Sequence, residues 1–276
     1  MSPPNFRTRT LTAILFAVVM VGAILLGVNY FAALMLVVYI LGMGEFYRLF
    51  KPYASNASRV AGTITGALIF ILIFAFNSSW IEAKWLWAVP LIFMIPFLTA
   101  MFDNNSQSSQ FIGISLAGIM FISVPLSLLS SVYLLGEKIR PLTGAYLLLM
   151  ILVILWVYDS AAYILGSSFG RHTLYKRLSP GKTWEGCIGG LVFGLATAFI
   201  VSYYLTSIQV VHWIAMALII MIAGTLGDLC ESMLKRHAGV KDSGTLLPGH
   251  GGILDRFDAL FFTAPVIYFY LIIFVF

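Results

Sequence analysis

Apolar residues fall along this chain in nine long stretches, separated by charges or by clusters of Gly, Pro, Asn and Ser. They cover residues 11–28, 30–47, 60–77, 85–102, 111–135, 142–165, 186–206, 210–230 and 259–276. About 20 apolar residues in a helix cross the hydrocarbon of a bilayer. A helix also satisfies its own backbone where no water is present. The pattern therefore predicts nine membrane-spanning helices, with too few residues left over for a large extramembrane domain. The second stretch is the least regular, because it contains Glu45 and ends in Tyr47-Arg48. The first follows Arg7 and Arg9, as the apolar core of a signal peptide would. No small-residue cleavage site comes after it and further spans arrive at once, so a retained first helix is expected.

Composition removes the competing classes. Of 276 residues, 61% are hydrophobic and 10% charged, whereas soluble domains carry roughly 45–50% apolar and about 25% charged residues. Disordered chains are poor in apolar residues and rich in charge, so disorder is excluded as well. The expected fold is an all-α integral membrane protein. No sustained repeat or low-complexity tract is present. Cys187 and Cys230 fall in or beside apolar stretches without metal or disulfide spacing, and read as small buried hydrophobes.

The net charge of +5 reads as a topology signal, with no nucleic acid implied. Nine spans put the N-terminus and every second loop on one side. That side holds thirteen basic residues: Arg7, Arg9, Arg48, Lys51, Arg59, Arg171, Lys176, Arg177, Lys182, Lys235, Arg236, Lys241 and Arg256. The other side holds three, Lys84, Lys138 and Arg140. The bias predicts a cytoplasmic N-terminus and an external C-terminus. Trp80, Trp85 and Trp87 mark an outer interfacial belt. A prokaryotic plasma membrane is expected, since the chain has no long terminal extensions.

The chain divides by content into residues 1–140, a membrane region of about five helices, and residues 141–276, where the chemistry concentrates. Two loops there, 166–185 and 231–258, are longer than helix hairpins need. Ionisable residues near membrane depth are costly and count as functional candidates. Asp159 lies near the end of the sixth span, Glu185 opens the seventh, Asp228 and Glu231 close the eighth, and Asp255 and Asp258 open the ninth. On the expected topology all six meet one leaflet. Such carboxylates repel unless cations balance them, and two sources exist: loop Lys and Arg, or a bound metal. Oxygen donors suit Mg²⁺, which accepts one or two carboxylates beside water and phosphate. The four histidines lack zinc spacing.

Glycine and basic residues alternate in both loops. The first contains Gly166, Gly170-Arg171, Ser179-Pro180-Gly181-Lys182-Thr183 and Glu185-Gly186. The second contains Lys235-Arg236, Lys241-Asp242 and Pro248-Gly249-His250-Gly251-Gly252. Exposed glycine N–H groups beside cations form anion-binding concavities, so a polyphosphate with Mg²⁺ would satisfy the arrangement. Gly181-Lys182-Thr183 is not a P-loop: the first glycine position is Lys176, and no strand is expected before it. Gly186, Gly190 and Gly194 form a small-residue stripe that predicts close helix packing, within the chain in preference to a dimer seam.

The segment Ser232-Met-Leu-Lys235-Arg236, then Lys241-Asp242-Ser-Gly244, then Pro248-Gly-His250-Gly251-Gly252-Ile-Leu-Asp255-Arg256-Phe-Asp258 resembles the signature of the phosphatidate cytidylyltransferases, the CDP-diacylglycerol synthases. Trp156-Val-Tyr-Asp159-Ser160-Ala-Ala162-Tyr163 and Ser179-Pro180-Gly-Lys182-Thr183-Trp-Glu185-Gly186 resemble two further family blocks. The likeness covers about residues 150–276; the first five spans match only in being apolar. Ser167 and Ser168 stand where relatives often carry a basic residue.

The resemblance implies transfer of a cytidylyl group from CTP to phosphatidic acid with release of pyrophosphate. It further implies Mg²⁺, with K⁺ as a possible second metal, an α-helical membrane fold and a homodimer. By motif position Asp228 and Asp255 would hold metal. Lys182 and Lys235 would act with them, and Arg171, Ser179, Arg236, Lys241, His250, Gly251, Gly252 and Arg256 would complete the substrate site. Asp159, Glu185, Glu231, Asp242 and Asp258 form a second tier. Asp228 ends one helix and Asp255 begins the next, and the intervening loop is expected to fold back and join them. Two rivals differ in chemistry. A CTP-dependent polyprenol- or phytol-type lipid kinase would release CDP, and the complete signature argues against it. A transporter would place its acids at the midplane in broken helices, not at helix ends.

Overall fold

The computed structural model describes residues 6–50, 55–103, 107–246 and 251–276, with side chains from Thr10 onward. Among the described residues eight helical segments are long and apolar enough to cross a membrane, and α1 (Phe6–Leu26) is a further apolar helix. These nine coincide with the nine stretches read from hydropathy, and the chain is an all-α multi-pass membrane protein. In order they are α1; α2 (Val28–Leu49); α3 (Asn56–Asn77); a 3₁₀ turn (Ala83–Ala88) running into α4 (Val89–Phe102); α5 (Ser108–Gly118), joined through a π turn to α6 (Val124–Glu137); α7 (Thr143–Phe169); α8 (Trp184–Tyr204); α9 (Val210–Ile219), joined through a second π turn (Ile220–Gly224) to α10 (Thr225–His237); and α11 (Leu254–Phe274).

Several helices overrun their apolar stretches. Ser55 caps α3 by accepting the Ser58 N–H at 3.1 Å, so the helix starts before hydropathy rises. α7 continues to Phe169 and α10 to His237. Past Asp228 the polar residues Glu231, Ser232, Lys235 and Arg236 alternate with the apolar Leu229, Cys230, Met233 and Leu234 on a helical period, and the helix continues. The loop 166–185 is also not irregular throughout. Thr173–Tyr175 (β1) and Ser179–Thr183 (β2) pair antiparallel, with Thr173 opposite Thr183.

The chain forms two compact units: residues 1–131 with 237–257, and residues 132–236 with 258–276. In the first unit, Phe31, Met35, Tyr39, Met43 and Phe46 of α2 are buried. Hydroxyls pin the neighbouring helices. Tyr39 donates to the Thr63 carbonyl at 2.9 Å, Ser123 donates to the Gly66 carbonyl at 2.6 Å, and Tyr47 and Ser115 share a bond of 2.8 Å. Buried polar groups in lipid require such partners. In the second unit α7 and α8 pack closely on small residues. A Cβ on Gly186 would meet the Ala162 carbonyl oxygen at 2.6 Å, and one on Gly190 would meet the Tyr158 ring at 2.9 Å. The stripe therefore serves packing within the chain, its last member Gly194 making only ordinary contact.

Candidate active site

In the second unit three helices and the hairpin converge on a group of charges. β2 carries Lys182, whose ammonium forms an ion pair with Asp228. Asp228 lies in the first turn of α10, directly after the π turn, and Ser232 donates to its other oxygen at 3.3 Å. Asp159 and Asp258 are electrostatic neighbours of both Asp228 and Lys182. Tyr158 and Thr225 share a hydrogen bond of 2.8 Å that ties α7 to α10 beside them. Gly227 lets α10 and α11 approach until a Cβ there would overlap the Asp258 carbonyl oxygen. One turn beyond Asp228, the buried Glu231 pairs with Lys235 at i,i+4.

Glu185 organises the hairpin. It stands in the first turn of α8 and accepts the Arg171 N–H at 3.1 Å and the His172 N–H at 3.2 Å, while His172 Nδ1 lies 2.6 Å away. Thr183 caps the same helix through the Gly186 N–H, and the Trp184 N–H donates to the His172 carbonyl. The hairpin that bears Ser179 and Lys182 is thus anchored at both ends to the start of α8. Arg171, Lys176 and Arg177 are exposed around it.

The first unit contains the other half of the signature. Asp255 opens α11 and accepts the Gly252 N–H at 2.7 Å and the Ser243 N–H at 3.1 Å. The Gly252 N–H is therefore engaged within the loop. Gly251 has φ +80, and a Cβ on it would meet Asp255 Oδ2 at 2.6 Å, so only glycine fits this turn. Lys241, Asp242 and Arg256 are exposed. Residues 247–250 lie outside the described residues, and with them His250, Pro248 and Gly249.

One acidic residue in this half carries no motif in the sequence. Glu45 of α2 is buried, and its Oε2 accepts the Ser243 hydroxyl and the Leu254 N–H, each at 3.0 Å. Hydropathy registers it only as an interruption of the second span. The available signal was an acid placed among apolar residues in a helix, which the cost of burial makes suspect.

Among the described residues no three His, Cys, Asp or Glu come together closely enough to enclose an ion. The donor chemistry nevertheless fits Mg²⁺. Around Lys182 three carboxylates, Asp159, Asp228 and Asp258, neighbour a single ammonium. Mg²⁺ takes one or two carboxylates and fills its shell with water and phosphate oxygens.

The sequence matches the cytidylyltransferase family over residues 7–274. The chain belongs to that family. Membership extends through the N-terminal helices, beyond the residues 150–276 on which the resemblance rested. Three similar proteins are each named phosphatidate cytidylyltransferase. That of Bacillus subtilis is 32% identical over 98% of this chain and 99% of its own length. The Haemophilus influenzae protein is 32% identical over 96% and 98%, and the Staphylococcus haemolyticus protein 31% over 95% and 97%. The chain thus spans nearly the whole length of these three relatives.

Proposed function

We propose that this protein is a nucleotidyltransferase that joins the cytidylyl group of CTP to phosphatidic acid, giving CDP-diacylglycerol and pyrophosphate. The carrying observation is the full-length match to a family whose relatives bear that name. A phosphate oxygen of phosphatidic acid attacks the α-phosphorus of CTP. The bond from that phosphorus to its bridging oxygen breaks, and pyrophosphate leaves. The nucleophile is anionic near neutral pH, so no strong base is required, and catalysis rests on positioning and charge neutralisation.

The basic residues supply that neutralisation. Lys182 and Lys235 are already balanced by Asp228 and Glu231, so an incoming phosphate competes for ammonium groups held in place. Arg171, Arg236, Lys241 and Arg256 add positive charge, and an arginine fork matches phosphate oxygens. Ser179, His250 and Gly251 complete the proposed substrate contacts, while Gly252, whose N–H Asp255 already holds, supports the turn instead. Asp228 and Asp255 would hold Mg²⁺, with K⁺ as a possible second ion, and the bound metal would neutralise triphosphate charge. Asp159, Glu185, Glu231, Asp242 and Asp258 orient these groups. An open apolar groove of about 420 Å³, lined by Trp156, Val157, Ser160, Ile164 and Phe193, suits an acyl chain.

The division of basic residues, thirteen against three, supports a cytoplasmic site in a plasma membrane. Homodimerisation follows from the family resemblance and is tested by native mass spectrometry from nanodiscs. The activity itself is tested by incubating purified protein with labelled CTP, phosphatidic acid and Mg²⁺. Labelled CDP-diacylglycerol with stoichiometric pyrophosphate is expected. Release of CDP with phosphorylation of a lipid alcohol would replace this reading by a CTP-dependent lipid kinase.

A further inference from the structure

The signature loop closes around a carboxylate from a distant helix. Glu45 is 2% exposed. Its Oε2 receives the Ser243 hydroxyl and the first N–H of α11, at Leu254. Among the described residues its Oε1 is buried and has no hydrogen-bond partner. The loop backbone wraps this side chain so tightly that a Cβ on Gly244 or on Gly252 would overlap a Glu45 oxygen. One turn earlier on α2, Gly42 leaves room for Leu254, whose Cδ2 a Cβ would meet at 3.3 Å. Two signature glycines are therefore explained by Glu45, without reference to a phosphate.

The same contacts lead directly to Asp255. Ser243 Oγ lies 3.0 Å from Glu45 Oε2 and 3.0 Å from Asp255 Oδ2, with one hydroxyl proton between the two carboxylates. Ser243 and Gly252 also donate their N–H groups to Asp255. Whatever fixes Ser243, Gly252 and the start of α11 fixes the direction in which Asp255 points. Glu45 touches Ser243 and Leu254, and its oxygens press against Gly252.

We infer that Glu45 is a positioning residue for the cytidylyl transfer: it holds Ser243, Gly244, Gly252 and Leu254 in the arrangement that presents Asp255. The inference rests on the assignment of Asp255 to the site. Partners that orient a site ligand typically cost about 10–100-fold when removed. Glu45→Gln keeps the shape and one acceptor oxygen but places an amide against the Leu254 N–H or Gly244. It should lower kcat per folded enzyme by about tenfold, with the KM for phosphatidic acid unchanged. Hydrogen exchange of the amides of residues 243–246 and 251–254 should quicken in the substrate-free full chain.

The experiment compares Glu45→Gln, Ser243→Ala, their double variant and Asp255→Asn, all purified and checked for folding. Combined losses smaller than the product of the single losses are expected, because both act through one network. Wild-type kcat and wild-type exchange in Glu45→Gln, with Asp255→Asn inactive, overturn the positioning role and leave the site intact. Full activity in Asp255→Asn overturns the site assignment, and with it the inference, whatever Glu45→Gln does. Loss of folded protein without change in kcat per folded molecule also overturns it, since that is a purely structural effect.

Discussion

Gly227→Ala adds a single methyl group at the closest approach of α10 and α11. Its Cβ would overlap the Asp258 carbonyl oxygen, and would stand 3.3 Å from that carbonyl carbon and 3.4 Å from Ala259 Cα. The obstacle is backbone, so no rotamer change relieves it. The helices must part by roughly half an ångström or more, because packed interiors have no slack to absorb the group. Overpacking of this kind costs about 1–3 kcal/mol. Intrinsic preference acts in the opposite direction: alanine in a helix is favoured over glycine by about 1 kcal/mol. The net loss should be about 0–2 kcal/mol, which a membrane protein of this size tolerates. Function should suffer more. The residues moved are the immediate neighbours of Asp228 and Asp258 themselves, and misplacement approaching 1 Å can cost about 100-fold in rate. The assay pairs a thermal unfolding scan in detergent with kcat for CDP-diacylglycerol formation. A small drop in Tm with a ten- to hundredfold loss of kcat is expected, about 1.4–2.7 kcal/mol in activation free energy. A raised Tm with unchanged kcat would show that helix propensity governs this position and that the close approach has no role in the chemistry.

The remaining expectations concern charge and topology. Asp228→Asn and Asp255→Asn should each lose activity by about 100-fold or more, comparable to removing a preorganised electrostatic contact. Glu231→Gln and Asp258→Asn should lose less, and Mg²⁺ titrations of folded variants check both. Near-normal rates at unchanged Mg²⁺ demand in the first pair would place the metal elsewhere. Alanine at Lys182, Lys235, Arg236 or Arg256 should raise the KM for CTP or phosphatidic acid, and Lys235→Ala should also lower Tm, because it strips the buried Glu231 of its cation. Wild-type kinetics in all four would reduce the basic loops to topology signals. Single cysteines at Thr173 and Thr245, introduced after replacing Cys187 and Cys230, should resist an impermeant thiol reagent in intact cells and react after permeabilisation. Labelling without permeabilisation would invert the topology.

The membrane spans were legible because burial in lipid leaves a long apolar run that nothing else in the sequence imitates. Their ends were less so. Hydropathy falls after Asp228, but the backbone of α10 stays helical to His237, and the i,i+4 pair of Glu231 and Lys235 forms on that polar extension. The hairpin holding Lys182 was invisible to periodicity, since three- and five-residue strands with Pro180 and Gly181 look like a turn. The acids of α7, α10 and α11 stood out individually. Their grouping about Lys182 did not, because it is created by packing on Gly227 and by the Tyr158–Thr225 bond. Gly252 illustrates the limit of motif reading: its N–H looked available to an anion, and in the fold it is held by Asp255. Glu45 escaped for the plainest reason, as its partners lie 198 and 209 residues further along the chain.

That separation has a consequence for biogenesis. Glu45 enters the membrane with α2 while Ser243 and Leu254 have yet to be translated. At about 5–20 residues per second the delay is on the order of 10–40 s. During that interval the acid has neither of those donors. Its position four residues from the end of α2 at Leu49 places it where a nascent helix can still draw water to the carboxylate. Release of that water belongs with arrival of the signature loop, so the N-terminal helices complete their interior only when the last span has been made. A chain truncated before residue 243 should therefore insert, remain hydrated around Glu45, and be recognised by membrane quality control as unfinished.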